Sequence, residues 1–204
     1  MTQTQTRYRR SSPAPRLHRR AWRSFFVVAL FCLCHAVSVK RADAEVYLTV
    51  EQALDLVLGE QTEHVADTRP LDESVAEQLR SQGLTAEPKA DDAHFYIGKK
   101  DGAVTGYALI DAEVGKHLPI TYVVGLSPTG QVTQVEMMVF REVRGWEVRE
   151  KRFMDQFRGK QSAAELEIGK GVQHVTGATL SSKAIAKGVR RAVFLWNHFY
   201  KKQG

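Results

Sequence analysis

From residue 94 to residue 140, apolar and polar residues alternate with a period of two, which constrains this part of the chain to β-structure. Short turn sequences divide the region into four predicted strands, 94–99, 104–114, 120–126 and 132–140. The first two strands flank Asp101-Gly102, a typical hairpin turn, and the last two flank Ser127-Pro128-Thr129-Gly130. We therefore predict an α+β fold, with an antiparallel sheet of about four strands and helices packed on one face.

Helical patterns lie on both sides of the predicted sheet. Residues 46–58 and 71–82 precede it, residues 148–157 follow it, and residues 163–171 suggest a short extended segment. The clearest pattern is a long C-terminal helix over about 181–202. Its apolar positions are predicted to face the sheet: Ile185, Val189, Val193, Trp196 and Tyr200. Its basic positions are predicted to form a solvated face: Lys183, Lys187, Arg190, Arg191 and Lys201.

The first 44 residues have the pattern of a signal peptide. Seven arginines precede an apolar run from Phe25 to Val39, and Ala42-Asp43-Ala44 offers a cleavage site. The run is shorter than the roughly 20 residues that span a bilayer as a helix. We predict a cleaved signal peptide over 1–44, with an uncleaved anchor as the alternative. Residues 45–93 are expected to be a helical segment that forms one globular unit with residues 94–204.

Charge and cysteine content exclude several function classes. Residues 1–44 contain nine Lys/Arg and one acidic residue, which leaves 20 basic and 22 acidic residues in the rest. The basic character therefore belongs to the leader, and no nucleic-acid partner is predicted. Both cysteines, Cys32 and Cys34, also lie in the leader, so no disulfide, thiolate metal site or haem attachment is expected. No histidines have metal-ligand spacing, and no metal is predicted.

The stretch Thr176-Gly177-Ala178-Thr179-Leu180-Ser181-Ser182 runs into the C-terminal helix. Gly177 permits a tight turn, and the hydroxyl of Thr179, Ser181 or Ser182 is expected to act as the N-cap. The free amides and the dipole at such a helix start also favour a phosphate group. The residues alone leave two interpretations open, an ordinary cap and an anion site.

This stretch resembles the Ser/Thr-Gly-Ala-Thr signature of FMN-binding domains. Such domains occur in one subunit of Rnf-type electron transport complexes and in one subunit of the sodium-pumping NADH:quinone reductase. The resemblance extends over roughly 94–202 and includes Arg141-Glu142, Gly145, Glu147, Arg149, Phe153 and Phe157. It implies FMN bound to Thr179 through a phosphoester, which a separate flavin transferase forms from FAD. In one respect the chain departs from the family, because Gln173 stands where an acidic residue is usual.

The resemblance also implies which residues surround the cofactor. The amides after Thr179, the hydroxyls of Ser181 and Ser182, and Lys183 are expected to hold the phosphate, next to Thr176, Gly177 and Ala178. For the flavin ring, Trp146 is the expected stacking surface, with Glu147 nearby and His117 and Leu118 covering another edge.

The implied function is that of an exported electron carrier. It would pass electrons between membrane or periplasmic redox proteins and would not be a stand-alone enzyme. A module of the same fold that binds FMN non-covalently, or binds no flavin, is one alternative, favoured by Gln173. A membrane-anchored subunit of an Rnf-like oxidoreductase is the other, favoured if the run from Phe25 to Val39 stays uncleaved.

Overall fold

The computed structural model of the protein describes residues 44–86 and 88–201. Apart from Ala44, the predicted signal peptide or anchor lies outside these residues. Within them, no helix combines the length and the apolar character needed to cross a bilayer.

A six-stranded antiparallel sheet forms the centre of the fold, in the order β1-β6-β5-β4-β3-β2. Its strands are β1 (Glu45–Val46), β2 (Glu63–Pro70), β3 (Asp92–Lys100), β4 (Ala103–Val114), β5 (Pro119–Leu126) and β6 (Val132–Phe140). The four predicted strands correspond to β3–β6, and both predicted turns connect them. The α+β class is therefore confirmed, but the sheet has two more strands than predicted.

The two additional strands form the edges of the sheet. β1 contains only two residues, which is too short for a pattern to emerge from the sequence. β2 carries Glu63, Asp67 and Arg69 and ends in Pro70, residues that are uncommon in central strands. Charged residues and proline are typical of edge strands, where they prevent pairing with other chains. This composition explains why the periodicity did not predict β2.

Four helices pack on the sheet: α1 (Val50–Leu58), α2 (Glu73–Ser81), α3 (Lys151–Met154) and α4 (Thr179–Phe199). α3 lies between two 3₁₀ turns, Trp146–Arg149 and Asp155–Phe157, where one continuous helix was predicted. α1 begins later than predicted, because Thr49 caps it through a capping box with Gln52. α2 begins two residues later than predicted, because Asp72 is its N-cap and accepts a hydrogen bond from the Val75 amide.

The helices cover both faces of the sheet, so the prediction that they cover one face is wrong. α2, α3 and α4 pack on a large apolar cluster that includes Leu109, Tyr122 and Met137. α1 packs on a smaller cluster that includes the adjacent residues Ala108, Val123 and Met138. Because successive side chains of a strand point to opposite faces, the two clusters lie on opposite sides of the sheet.

The segment 163–171 forms turns, where a short extended segment was predicted. The Glu165 carboxylate accepts hydrogen bonds from the Ser162 amide, at 3.1 Å, and from the Ser162 hydroxyl, at 2.6 Å. Such local bonds between side chain and backbone favour a turn over a strand. Only the isolated bridge between Ile168 and Val172 has β geometry among the described residues of this segment.

The long C-terminal helix is confirmed as α4, and its apolar side faces the sheet as predicted. Ile185, Val189, Val193 and Trp196 are buried, and Tyr200, just after the helix, is partly buried. The predicted solvated basic face is wrong at Arg191, which is 1% exposed, and Lys187 and Arg190 are only partly exposed. Arg191 is the largest of the fully buried side chains in the described part of the chain.

Five hydrogen bonds satisfy the whole Arg191 guanidinium. Its Nε atom donates to Asp111 Oδ2 at 2.8 Å, and its Nη1 atom donates to Glu113 Oε2 at 2.6 Å. The remaining hydrogen bonds reach the carbonyls of Leu84 and Ala112 and the Tyr122 hydroxyl. These five bonds equal the five N–H donors of an arginine.

The charges in this network balance locally. Lys187, one turn before Arg191, donates to Glu113 Oε1 at 2.8 Å, so two cations face two carboxylates. Burial acts to lower the pKa of Arg191, but the Tyr122 hydroxyl and the Asp111 carboxylate outweigh it and raise that pKa above its ordinary value. The guanidinium therefore stays charged and ties α4 to strands β4 and β5.

We predict that Arg191→Met lowers the free energy of unfolding by about 3–5 kcal/mol, because it leaves two largely buried carboxylates without their main cation. Arg158→Met is the matched control, since Arg158 makes a surface ion pair with Asp155 at 3.6 Å and its loss should cost under about 1 kcal/mol. Urea unfolding of both variants at neutral pH measures the difference. Equal losses in the two variants would contradict the structural role of Arg191.

Candidate functional site

Helix α4 begins at Thr179, directly after the Gly177 turn, and no side chain caps it. The N-cap position is Ala178, which has no side-chain oxygen. The prediction that Thr179, Ser181 or Ser182 is the N-cap is therefore wrong. A helix of 21 residues whose first turn lacks a side-chain cap leaves its leading amides open to an external acceptor. Thr179 itself is partly exposed, and Thr176 and Gly177 are exposed.

Ser182 connects the loop before α4 to the helix. Its hydroxyl accepts a hydrogen bond from the Val175 amide at 3.0 Å and donates to the Ala178 carbonyl at 2.9 Å. The side chain is completely buried. These bonds use the hydroxyl for holding the loop, so the structure places Ser182 as a support of the turn at 176–178.

Ser181 faces a second loop, which follows strand β6. Gly145 in that loop has a φ of 95°, and a Cβ atom at this position would overlap Ser181 Oγ. Glycine is therefore required at position 145 for two reasons, the left-handed backbone and the close approach of α4. The contact places Trp146, the next residue, beside the first turn of α4. Trp146 is exposed, as a stacking surface for a bound ring requires.

The corner that holds His117 and Leu118 is tied to the same loop by Glu142. The Glu142 Oε1 atom accepts hydrogen bonds from the amides of Lys116 at 2.7 Å and Leu118 at 2.9 Å, and also from the amide of His117. The neighbouring Arg141 donates to a backbone carbonyl and a threonine hydroxyl at the start of β5. This pair of residues therefore fixes the corner between β4 and β5 against the end of β6.

The ionised form of Glu142 is favoured by this arrangement. Partial burial acts to raise the pKa of Glu142, but the hydrogen bonds from the three amides outweigh burial and bring the pKa below its ordinary value. The role of Glu142 was missed from the sequence, although the Arg141-Glu142 pair was among the residues that carry the resemblance. The hydrogen bonds of Glu142 reach backbone amides 24 to 26 positions earlier in the chain, and no local sequence pattern predicts such contacts.

These contacts join three segments: the corner 115–118, the loop 142–147 and the start of α4. Each segment exposes at least one large apolar side chain: Leu118 in the corner, Val143 and Trp146 in the loop, and Leu180 in α4. Glu147 lies in the same loop, partly buried, and its Oε2 atom is buried without a hydrogen-bond partner among the described residues. Lys183 is exposed and follows Thr179 by one helical turn, which puts both side chains on one face of α4.

A cleft adjoins the Thr176 side of the loop. It has a volume of about 440 Å³, and Arg152, Gln156 and His174 are among the residues that line it. Gln156 clamps the loop, since its Oε1 atom accepts from the Gln173 amide at 2.8 Å and its Nε2 atom donates to the Gln173 carbonyl at 3.2 Å. Because these bonds use only the backbone of Gln173, whose side chain is exposed, the residue type at this position leaves the loop's support intact.

Comparison with known proteins finds a similarity over the part of the chain that contains these segments. Residues 115–193 match the model of the FMN-binding domain family. The match covers 79 of the 204 residues of the chain. The matched range includes the corner, the loop after β6, and the Gly177 turn with the first four turns of α4.

Two curated relatives are components of redox complexes. One is the G subunit of the Na⁺-translocating ferredoxin:NAD⁺ oxidoreductase complex of Acetobacterium woodii, 28% identical over 116 residues. The other is the G subunit of the proton-translocating ferredoxin:NAD⁺ oxidoreductase complex of Clostridium ljungdahlii, 28% identical over 106 residues. The matches cover 52% and 48% of this chain, and 56% and 57% of the relatives. The chain thus spans little more than half the length of either relative.

The residues within the matched range fit the cofactor that gives the FMN-binding domain family its name. An uncapped helix start suits the phosphate, since free amides and the helix dipole both favour an anion. The exposed apolar side chains suit the flat ring, which needs an apolar surface on at least one side. The unpartnered Glu147 oxygen suits an N–H donor such as the imide group of a flavin.

We predict that Glu142→Gln lowers the free energy of unfolding by about 1–2 kcal/mol at pH 7, because a neutral amide replaces a carboxylate that accepts from three amides. The pKa of Glu142 is lowered by folding, so its stabilising effect is complete above the ordinary glutamate pKa and is lost as the pH falls through the lowered pKa. The wild-type protein and the variant should therefore converge in stability at acidic pH.

Thermal unfolding of both proteins between pH 7 and pH 3 measures this convergence. Glu150→Gln is the control, because Glu150 is exposed and its side chain caps no helix. A stability difference between wild type and Glu142→Gln that stays constant over this range would contradict the role assigned to the Glu142 carboxylate.

Proposed function

We propose that the protein is an exported electron carrier with FMN attached through a phosphoester to Thr179. The observation that carries this proposal is the position of Thr179 as first residue of an uncapped helix, within the segment that matches the FMN-binding domain family. A hydroxyl at this position presents an attached phosphate directly to the amides of the first turn. Gly177, two residues earlier, lies in open space, where an added Cβ atom would meet no protein atom within 4 Å.

The attachment is a group transfer in which this chain is the acceptor. The Thr179 oxygen forms a bond to the flavin-side phosphorus of FAD, and the bond from that phosphorus to the bridging oxygen of the diphosphate breaks. AMP leaves, and the hydroxyl proton passes to a base of the flavin transferase. The chain supplies no general base in this scheme, so a separate transferase is a required partner for maturation.

The protein's own residues hold and orient the cofactor. The amides after Thr179 and the Lys183 ammonium group would offset the charge of the phosphodiester. Trp146 and Leu118 would cover the ring from the loop and the corner, and Glu147 would accept a hydrogen bond at its edge. The hydroxyl of Ser182 and the bare Cα of the glycine before Trp146 act indirectly, since they fix the loop and the helix start on which these groups depend.

The chemistry of FMN and the names of the two relatives both support the proposed electron transfer. FMN can exchange one or two electrons, which lets a domain that holds it connect different redox partners. Both curated relatives are subunits of complexes named as ferredoxin:NAD⁺ oxidoreductases. By analogy with them, we propose that membrane or periplasmic redox proteins donate and accept the electrons. Exposure of the apolar side chains around Thr179 supports electron exchange at this surface.

We predict that the protein, co-expressed with a periplasmic flavin transferase, gains the mass of FMN minus one water. Thr179→Ala should show the mass of the bare chain, because it lacks the oxygen that forms the ester. Thr179→Ser is the matched control and should gain the same mass, since it keeps a hydroxyl at the same helix position. Intact-mass spectrometry of the three proteins makes the comparison.

A bare mass for the wild-type protein would overturn covalent attachment. Reversible FMN binding, followed by flavin fluorescence, would then support the non-covalent module, which Gln173 in place of the usual acidic residue favours. Addition of FMN to Thr179→Ala would place the ester on a different residue.

We predict export with cleavage after Ala44, because the small residues of Ala42-Asp43-Ala44 follow an apolar run shorter than a bilayer-spanning helix needs. N-terminal sequencing of the protein from periplasmic and membrane fractions should give Glu45 as the first residue. A chain that keeps the run from Phe25 to Val39 in the membrane fraction would support the anchored subunit instead.

A further inference from the structure

Charge is distributed very unevenly along the chain after the leader. Residues 45–101 contain 13 acidic and five basic residues, whereas residues 102–204 contain nine acidic and 15 basic residues. The first part includes exposed acids on α1 and α2, such as Glu51, Glu73 and Glu77. The second part includes all three segments of the cofactor site. Residues 45–204 are therefore nearly neutral in total, but residues 45–101 are acidic (the acidic half) and residues 102–204 are basic (the basic half).

The basic half exposes cations on each segment of the site. Lys116 lies at the corner, Arg144 in the loop after β6, and Lys183 in the second turn of α4, and all three are exposed. We call these three residues the site rim. The two acids of the same segments, Glu142 and Glu147, are only partly exposed, and Glu142 is bonded to three backbone amides, so the cations are the more exposed charges.

The three segments that carry the site rim also expose apolar side chains. The exposed side chains of Leu118, Val143, Trp146 and Leu180 come from the same three segments. They account for half of the eight large apolar side chains that are exposed in the described part of the chain. An apolar centre bordered by charged residues is the usual arrangement of a protein–protein interface, and aromatic anchors such as Trp146 are enriched in such interfaces.

We propose that the site rim and its apolar centre form the docking surface for a redox protein with an acidic face. The proposal rests on the proposed function, because it names the kind of partner that approaches the flavin site. Complementary charge steers an acidic partner to the site rim, while the acidic half of this chain repels it from the other elements. This combination favours the orientation that brings the partner close to Thr179.

A lipid surface fits these observations less well. Clusters of four to eight Lys/Arg on one segment are typical of sequences that bind anionic lipid headgroups, whereas each of the three segments here exposes a single cation. A membrane-facing site would also withdraw the cofactor from aqueous redox proteins. The acidic protein is therefore the occupant to which we commit, and the membrane is an outcome of the test.

The test uses a pair of probes with one fold and opposite charge: native cytochrome c, which is basic, and its fully succinylated form, which is acidic. Amide signals of the ¹⁵N-labelled protein with Thr179→Ala are followed by NMR as each probe is added. Because this variant lacks the proposed attachment oxygen, docking is measured separately from FMN attachment. A failure of docking and a failure of flavinylation are therefore distinguishable.

We expect the acidic probe to shift the signals of residues 116–118, 142–146 and 180–183 at low salt, with binding that weakens as salt is added. Adding Lys116→Glu and Arg144→Glu should weaken that binding by about tenfold or more. Lys99→Glu with Lys100→Glu is the matched control, because it changes charge equally at the opposite end of the 12-residue strand β4. The control should leave the binding nearly unchanged.

Three results would overturn the proposal. The first is an acidic probe that leaves the signals of the three segments unmoved, and the second is an equal loss of binding in both double variants. The third is flotation of the wild-type protein with phosphatidylglycerol vesicles that Lys116→Glu with Arg144→Glu abolishes, without any shift caused by the acidic probe. That result would assign the surface to the membrane.

Discussion

The buried guanidinium group of Arg191 fixes the position of α4 on the sheet. Arg191 lies under α4 with all five of its donors bonded, to two carboxylates, two carbonyls and the Tyr122 hydroxyl. Burying a charge costs several kcal/mol unless its hydrogen-bonding groups are paired. The five hydrogen bonds of Arg191 therefore fix both the rotation of α4 about its axis and its position along that axis. Gly188, one turn earlier, removes the Cβ that would overlap the Tyr122 hydroxyl. Twelve residues before Arg191, or roughly 18 Å along the axis, the helix begins at Thr179.

The start of α4 in turn positions the other segments of the site through direct contacts. Ser182 ties the preceding loop to the first turn, and Gly145 brings the loop after β6 against Ser181. Glu142, in that same loop, holds the corner of His117 and Leu118 by its backbone. Side chains thus support every part of the site except the leading amides of α4. These amides are left without a side-chain cap, which is the condition for a phosphate to take the place of one.

Patterns that depend on neighbours in sequence were predictable, and contacts between distant residues were not. Period-two alternation and turn residues predicted β3 to β6, and helical spacing predicted the buried side of α4. Arg191 was assigned to a solvated face because its partners Asp111 and Glu113 lie 80 and 78 positions away, where periodicity carries no information. β2 was missed because an edge strand needs no alternating apolar face. At the site, the resemblance indicated the segment 176–182, but hydroxyls before a helix wrongly suggested a cap. Ser182 instead bonds the preceding loop, and the cap position is Ala178.

The central claim is that FMN is held as a phosphodiester of Thr179, and ³¹P NMR of the purified, flavin-loaded protein tests it most directly. A phosphomonoester, as in free or reversibly bound FMN, has a second pKa of about 6, and its signal moves as the pH changes through that value. A phosphodiester has no such proton to lose. We predict one phosphorus signal that stays constant from pH 5 to pH 8 and persists after denaturation and dialysis. A signal that titrates, or that disappears with the dialysed flavin, would contradict covalent attachment.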